Sequence, residues 1–143
     1  MSVMRSTIKV ILMVLLVYFG LISCKPETVA DQSNPFLSAY NTPFNIPPFE
    51  RIMAKHYMPA FEKGMEEGRS DIQKIVSNSN KPTFKNTVEA YDRAGELLTR
   101  VMMVFQAQAA SNTNDSLQAI QIEISPKFAG FTDEVILNAE LFN

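Results

Sequence analysis

Cys24 closes the segment Leu21-Ile22-Ser23-Cys24 and is the only cysteine of the chain. A single thiol excludes an intramolecular disulfide, so its chemistry must involve another molecule. Other reactive groups are as sparse. His56 is the sole histidine, and Tyr57-Met58-Pro59-Ala60 follows it. A zinc site of the His-Glu-x-x-His kind needs two histidines four apart on one helical face and a third protein ligand. The residues after His56 supply neither the Glu nor the second His, so His56 is expected to cap or pack a helix start. Glu62, Glu66 and Glu67 could in principle pair as acid and base. Adjacent helical residues point about 100° apart, and these three lie opposite the apolar stripe described below, so a solvated face is expected. Ser23, Ser111 and Ser116 have no histidine near them in sequence and no nucleophile-elbow glycines. A phosphate-cradling glycine loop is also absent. Met58, Met65, Met102 and Met103 fit a helical core better than an adaptable binding surface. No catalytic and no metal-binding residue is assigned.

The surroundings of Cys24 give it a role. Arg5 and Lys9 precede an uncharged run from Val10 to Leu21. That run falls short of the roughly 20 residues a helix needs to span a bilayer. A positive start, a short apolar core and small residues at the end make a secretory signal. Leu21-Ile22-Ser23-Cys24 resembles a bacterial lipobox, in which a lipid is attached to the cysteine and cleavage falls before it. The expectation is a lipoprotein signal peptide over 1–23, lipidation at Cys24 and a tether over 24–33. An uncleaved anchor with an incidental cysteine is the alternative. Acyl chains would hold the protein to a membrane, each buried CH₂ contributing about 0.8 kcal/mol. Lys25-Pro26-Glu27 lacks an aspartate sorting signal, so export to the outer membrane, facing the periplasm, is expected.

Composition bounds the rest. The chain has 143 residues, 46% of them hydrophobic and 20% charged, which are globular values with room for one domain. Net charge is −2, and without Arg5 and Lys9 the remainder sits at −4. An acidic body offers no footprint for a phosphate backbone, so no nucleic-acid partner is expected.

The elements that would position any site are helical. From Asn34 to Pro48 an arm rich in proline and asparagine, yet carrying Phe36, Leu37, Tyr40, Phe44 and Ile46, is expected to lie extended against helices. A first helix is predicted from about His56 or Met58 to Val76, with Pro59 in its first turn. Tyr57, Phe61, Met65, Ile72, Ile75 and Val76 form its stripe. A second is predicted from near Asn86, which would form a capping box with Glu89, and to carry Val88, Tyr91, Ala94, Leu98, Val101, Phe105 and Ala109 on one face. A third carries Leu117, Ile120, Ile124, Phe128, Phe131 and Val135, with Pro126 expected to kink or divide it. The fold class is all-α, with about three long antiparallel helices. Leu97, Met102, Met103, Val104, Ile122 and Ile136 lie off the main stripes. Three helices would struggle to cover so much apolar surface.

Several segments, in this order and spacing, resemble a known family. They are Asn34-Pro35-Phe36-Leu37, Pro47-Pro48-Phe49-Glu50-Arg51-Ile52, Thr83-Phe84-Lys85-Asn86-Thr87-Val88, Gly95-Glu96-Leu97-Leu98-Thr99-Arg100-Val101 and Asn112-Thr113-Asn114-Asp115. They are similar to the amino-terminal helical region of the bacterial peptidyl-dipeptidases, a branch of the thimet-oligopeptidase family of zinc metallopeptidases. The fourth and fifth segments look closer to that branch than to its oligopeptidase relatives. The resemblance covers residues 34–143. It implies a large helical enzyme that releases dipeptides from the carboxyl end of short peptides inside a channel, with these helices as one wall. It also implies zinc in the full-length parent, bound by residues with no counterpart here, so no site residue carries over.

Two readings follow. In one, the chain is the amino-terminal portion of a lipid-anchored peptidase, with the catalytic domain absent and nothing catalytic in this portion alone. In the other, it is a short non-catalytic helical lipoprotein that binds a peptide or partner protein.

Overall fold

The apolar stripe that begins at Tyr57 is buried at Tyr57, Phe61, Met65 and Ile72 and thins to half-buried Ile75 and Val76. In the computed structural model, which describes residues 34–142, this stripe lies on α1, Ala54–Val76. Residues 1–33, with the signal, the tether and Cys24, lie outside the described residues. A short α2, Ala90–Arg93, is followed by α3, Glu96–Ser111, and α4, Asp115–Ile136. The described residues hold helices and no strands, as an all-α chain requires.

Cross-helix pairs give the directions. Tyr57 meets Phe105 on α3 while Gly64 meets Leu98, so α1 and α3 run antiparallel. Glu62 pairs with Lys127 and Arg69 with Glu134, so α1 and α4 run parallel. The three long helices therefore go up, down and up, with α1 touching both others. The core between them is aromatic. Tyr57 stands edge-on to Phe105 at 5.1 Å between ring centroids, and Phe61 does so at 5.5 Å. Such pairs add about 0.5–1.5 kcal/mol beyond the area they bury. Tyr57 keeps its hydroxyl satisfied by donating to Gln108 Oε1 at 2.8 Å.

The structure corrects the predicted boundaries. α1 starts at Ala54, because the Met53 N–H donates to His56 Nδ1 at 3.1 Å and caps the helix earlier. Pro59 therefore sits inside the helix, on its exposed side. The cap of the next segment is Thr83, which exchanges hydrogen bonds with Asn86 (Asn86 N–H to Thr83 Oγ1 at 3.2 Å, Thr83 N–H to Asn86 Oδ1 at 2.7 Å). Asn86 is the third residue of that capping box and not its first. The predicted second helix is two pieces. A wide helical turn over Phe84–Glu89 runs into α2, and the chain then breaks at Gly95, whose φ of +69° is left-handed and suits glycine. Pro126 does not divide α4. The carbonyl it leaves without a helical donor is that of Ile122, a residue 77% exposed, where water can serve.

The arm is not extended. It forms three short tight helical turns, Pro35–Leu37, Pro43–Asn45 and Phe49–Arg51. Its first part is locked down. Asn34, only 2% exposed, accepts from the Phe36 N–H at 3.1 Å and donates to the His56 carbonyl at 2.9 Å. Arg100 Nη2 donates to the Phe36 carbonyl at 2.7 Å. From Pro43 to Ile46 the arm is exposed, Phe44 by 95%, before it returns to the body at buried Pro48.

Candidate functional site

No group of three or more His, Cys, Asp or Glu side chains comes together among the described residues. His56 is 3% exposed and spends Nδ1 on the α1 cap and its carbonyl on Asn34, which is the packing role its position predicted. Glu62, Glu66 and Glu67 are all exposed on α1. Lys127 donates to Glu62 and Lys63 donates to Glu66, so these carboxylates belong to surface ion pairs. Ser111 Oγ donates back to the Ala107 carbonyl at 2.7 Å, and Ser116 is exposed.

Two ion pairs seat α4 on α1. Arg69 grips Glu134 with two bonds, at 2.6 and 3.2 Å, while its guanidinium lies over the Phe131 ring at 5.4 Å. The hydrogen bonds from Arg69 hold the Glu134 carboxyl below its usual range. Hydrogen bonds to Glu62 and then Glu123 raise the Lys127 ammonium above its usual value.

What the surface does offer is apolar concavity. A cleft of about 260 Å³ is lined by Gly68, Ile72, Tyr91, Phe131, Val135 and Ile136, joining α1, α2 and α4. A larger groove of about 530 Å³ runs between the arm and the outer face of α3. Its helix wall is Glu96, Thr99, Arg100 and Met103, at spacings that keep them on one face. Its arm wall includes Ala39, Tyr40, Asn45 and Pro47. The Arg100 guanidinium lies over the Tyr40 ring at 5.2 Å. Burial pushes the Tyr40 phenol above its ordinary value, and the charge of Arg100 opposes that shift. The sequence places Tyr40 only among the apolar residues of the arm and Arg100 only within the Gly95–Val101 segment, and assigns neither to a site. A signal was available, because Arg100 is the one cation of α3 and stands amid Leu97, Leu98 and Val101.

No protein-family model matches the chain. Over 109 residues the chain is 43% identical to the dipeptidyl carboxypeptidase of Escherichia coli, and over 110 residues 39% identical to that of Salmonella typhimurium. The chain is related to the amino-terminal part of the dipeptidyl carboxypeptidases. The aligned stretch is 76–77% of this chain but 16% of the length of each of those relatives. Oligopeptidase A of Escherichia coli is 29% identical over 69 residues. Among the described residues, no helix is long and apolar enough to cross a membrane.

Proposed function

We propose that residues 34–142 serve as the amino-terminal helical wall of the substrate channel in a zinc metallopeptidase that releases dipeptides from the carboxyl ends of short peptides. The observation that carries this is the 43% identity to a dipeptidyl carboxypeptidase along a stretch that is only 16% of that relative. The apolar surface left open by the three helices supports it, since Met103, Ile122, Ile136, Leu137 and Phe142 are all exposed. The described residues do not fit a zinc site, having one buried histidine and no converging ligand set. No step of hydrolysis is therefore derived from them, and zinc would belong to other parts of the parent enzyme. On this reading Cys24 carries lipid, and the enzyme is exported and held at the outer membrane facing the periplasm.

The test is a dipeptide-release assay on membrane fractions of the source cell, with and without a zinc chelator. Chelator-sensitive release that is lost when the gene is deleted is expected. Release unchanged by the deletion would overturn the proposal. A second reading, a short helical lipoprotein that binds a peptide or partner protein, is favoured by the one buried core that the arm, α1, α3 and α4 share among the described residues.

A further inference from the structure

Ile72 is 6% exposed, yet it is the one buried apolar side chain among the described residues that stands outside the main core. It sits in the cleft of about 260 Å³, with Tyr91 and Ala94 on one side and Phe131 and Val135 of α4 on the other. Tyr91 and Ala94 belong to the stretch 83–94, which links α1 to α3 through the wide turn and α2. That stretch sinks nothing into the body, since no residue from 73 to 94 is buried. Among the described residues, its side-chain hydrogen bonds and its ion pair close on neighbours in sequence. Asn86 bonds Thr83 and the Lys81 carbonyl, Thr87 bonds Asn86, and Arg93 pairs with Glu89. At the far end the Gly95 N–H reaches Asp71 Oδ2 on α1 at 3.4 Å, which is long for such a bond.

Both ends of the stretch are places where the chain can turn. Ser77-Asn78-Ser79-Asn80-Lys81-Pro82 precedes it, an exposed run of turn-forming residues. Gly95 follows it at φ +69°, which glycine adopts without the penalty a Cβ would bring. Between them lies the wide turn Phe84–Glu89, a rare helical form that recurs at functional sites. Few buried contacts and exposed backbone hydrogen bonds put a segment at the low end of local stability, where it opens while the rest stays folded. We propose that residues 83–94 form a strap, hinged at 77–82 and at Gly95, that opens and closes over Ile72 as one unit while α1, α3 and α4 remain packed. Closed, Tyr91 and Ala94 complete the cover of Ile72. Open, the strap leaves Ile72, Phe131 and Val135 as an apolar recess. The inference stands apart from the channel-wall reading, because it concerns a motion of this chain and no peptide cleavage.

The test is native-state hydrogen exchange of the full chain in increasing, sub-denaturing urea, read by mass spectrometry of its peptides. Amides 88–94 are expected to exchange together, about 100-fold or more faster than amides 101–105 of α3, yet slower than in an unstructured peptide. Their rate should rise only shallowly with urea, because strap opening exposes little surface, whereas that of 101–105 should rise steeply. Tyr91→Ser, which strips cover from Ile72 and touches no core residue, is expected to speed the 88–94 block about tenfold. Exchange of 88–94 at the rate and urea slope of 101–105 would overturn the proposal, since strap and core would then open only together. Exchange as fast as an unstructured peptide, or a rate indifferent to Tyr91→Ser, would also overturn it. The dipeptide-release assay decides the peptidase reading separately, so either can fail alone.

Discussion

Gly64 admits the backbone of Leu98 so closely that a Cβ at position 64 would lie 2.8 Å from both the Leu98 Cα and its amide nitrogen. The obstacle is main chain, which cannot turn aside as a side-chain end could. One turn on, Gly68 faces Gly95 and the Phe131 ring tip. The start of α3 is thus seated on a glycine seam of α1, and Asp71 Oδ2 accepts from the Gly95 N–H at 3.4 Å beside it. Gly64→Ala is expected to cost about 1–3 kcal/mol through overpacking. Gly130→Ala, where the new methyl meets nothing within 4 Å, is expected to stabilise by about 0.5–1 kcal/mol through helix propensity. Urea unfolding midpoints of the two variants should move in opposite directions.

The aromatic core carries more. Phe61 is buried among Tyr57 and Phe105, so Phe61→Ala is expected to lose about 3–5 kcal/mol. Phe44→Ser, at a side chain almost wholly in water, is expected to change stability by no more than about 0.5 kcal/mol. Chemical denaturation followed by far-UV circular dichroism separates the two.

Those contrasts show what the sequence makes legible. Period-3.6 spacing found the buried faces of α1 and α4, because Tyr57, Phe61 and Met65, and Leu117, Ile120 and Ile124, each project from one side of a regular helix. Spacing alone could not find the break at Gly95. The apolar pattern runs on through it from Tyr91 to Leu98, and the break depends on a left-handed glycine and on room made by Gly68 of another helix. The sequence presents Asn34 as a helix breaker and as the start of the Asn34–Leu37 segment, yet it is also a buried polar link to His56. Its partner is 22 positions away, beyond any local pattern. The arm–α3 groove was hidden for the same reason, since its walls come from segments distant in sequence.

The Arg69–Glu134 pair gives an acid-side prediction. The folded carboxyl lies below its unfolded value of 4.5, so its contribution is present above that pH and is lost as pH falls through the depressed folded value. The stability gap between the native chain and Glu134→Gln should therefore be seen near neutrality and close on acidification below about pH 4.5. A gap that stays constant across that range would remove the pair from the account. Added salt should narrow it, since both side chains are about half exposed.

Tyr57 gives an alkaline one. Burial, with a smaller contribution from Tyr40, pushes its phenol up to about 12 from 10.0. A raised folded value means the stabilisation is whole below pH 10.0 and falls away as pH rises through about 12. In a phenolate absorbance titration, Tyr57→Phe should remove the latest-ionising component and leave the earlier ones.

The proposed function places these helices in a dipeptidyl-carboxypeptidase-like enzyme much larger than they are. An immunoblot of the source cell's membrane fraction, with antibody raised against residues 34–143, tests it most directly. A band several times the 16.1 kDa of this chain is the expected result. A band at or slightly below that mass, with no larger species, would contradict the claim and turn attention to a short binding lipoprotein.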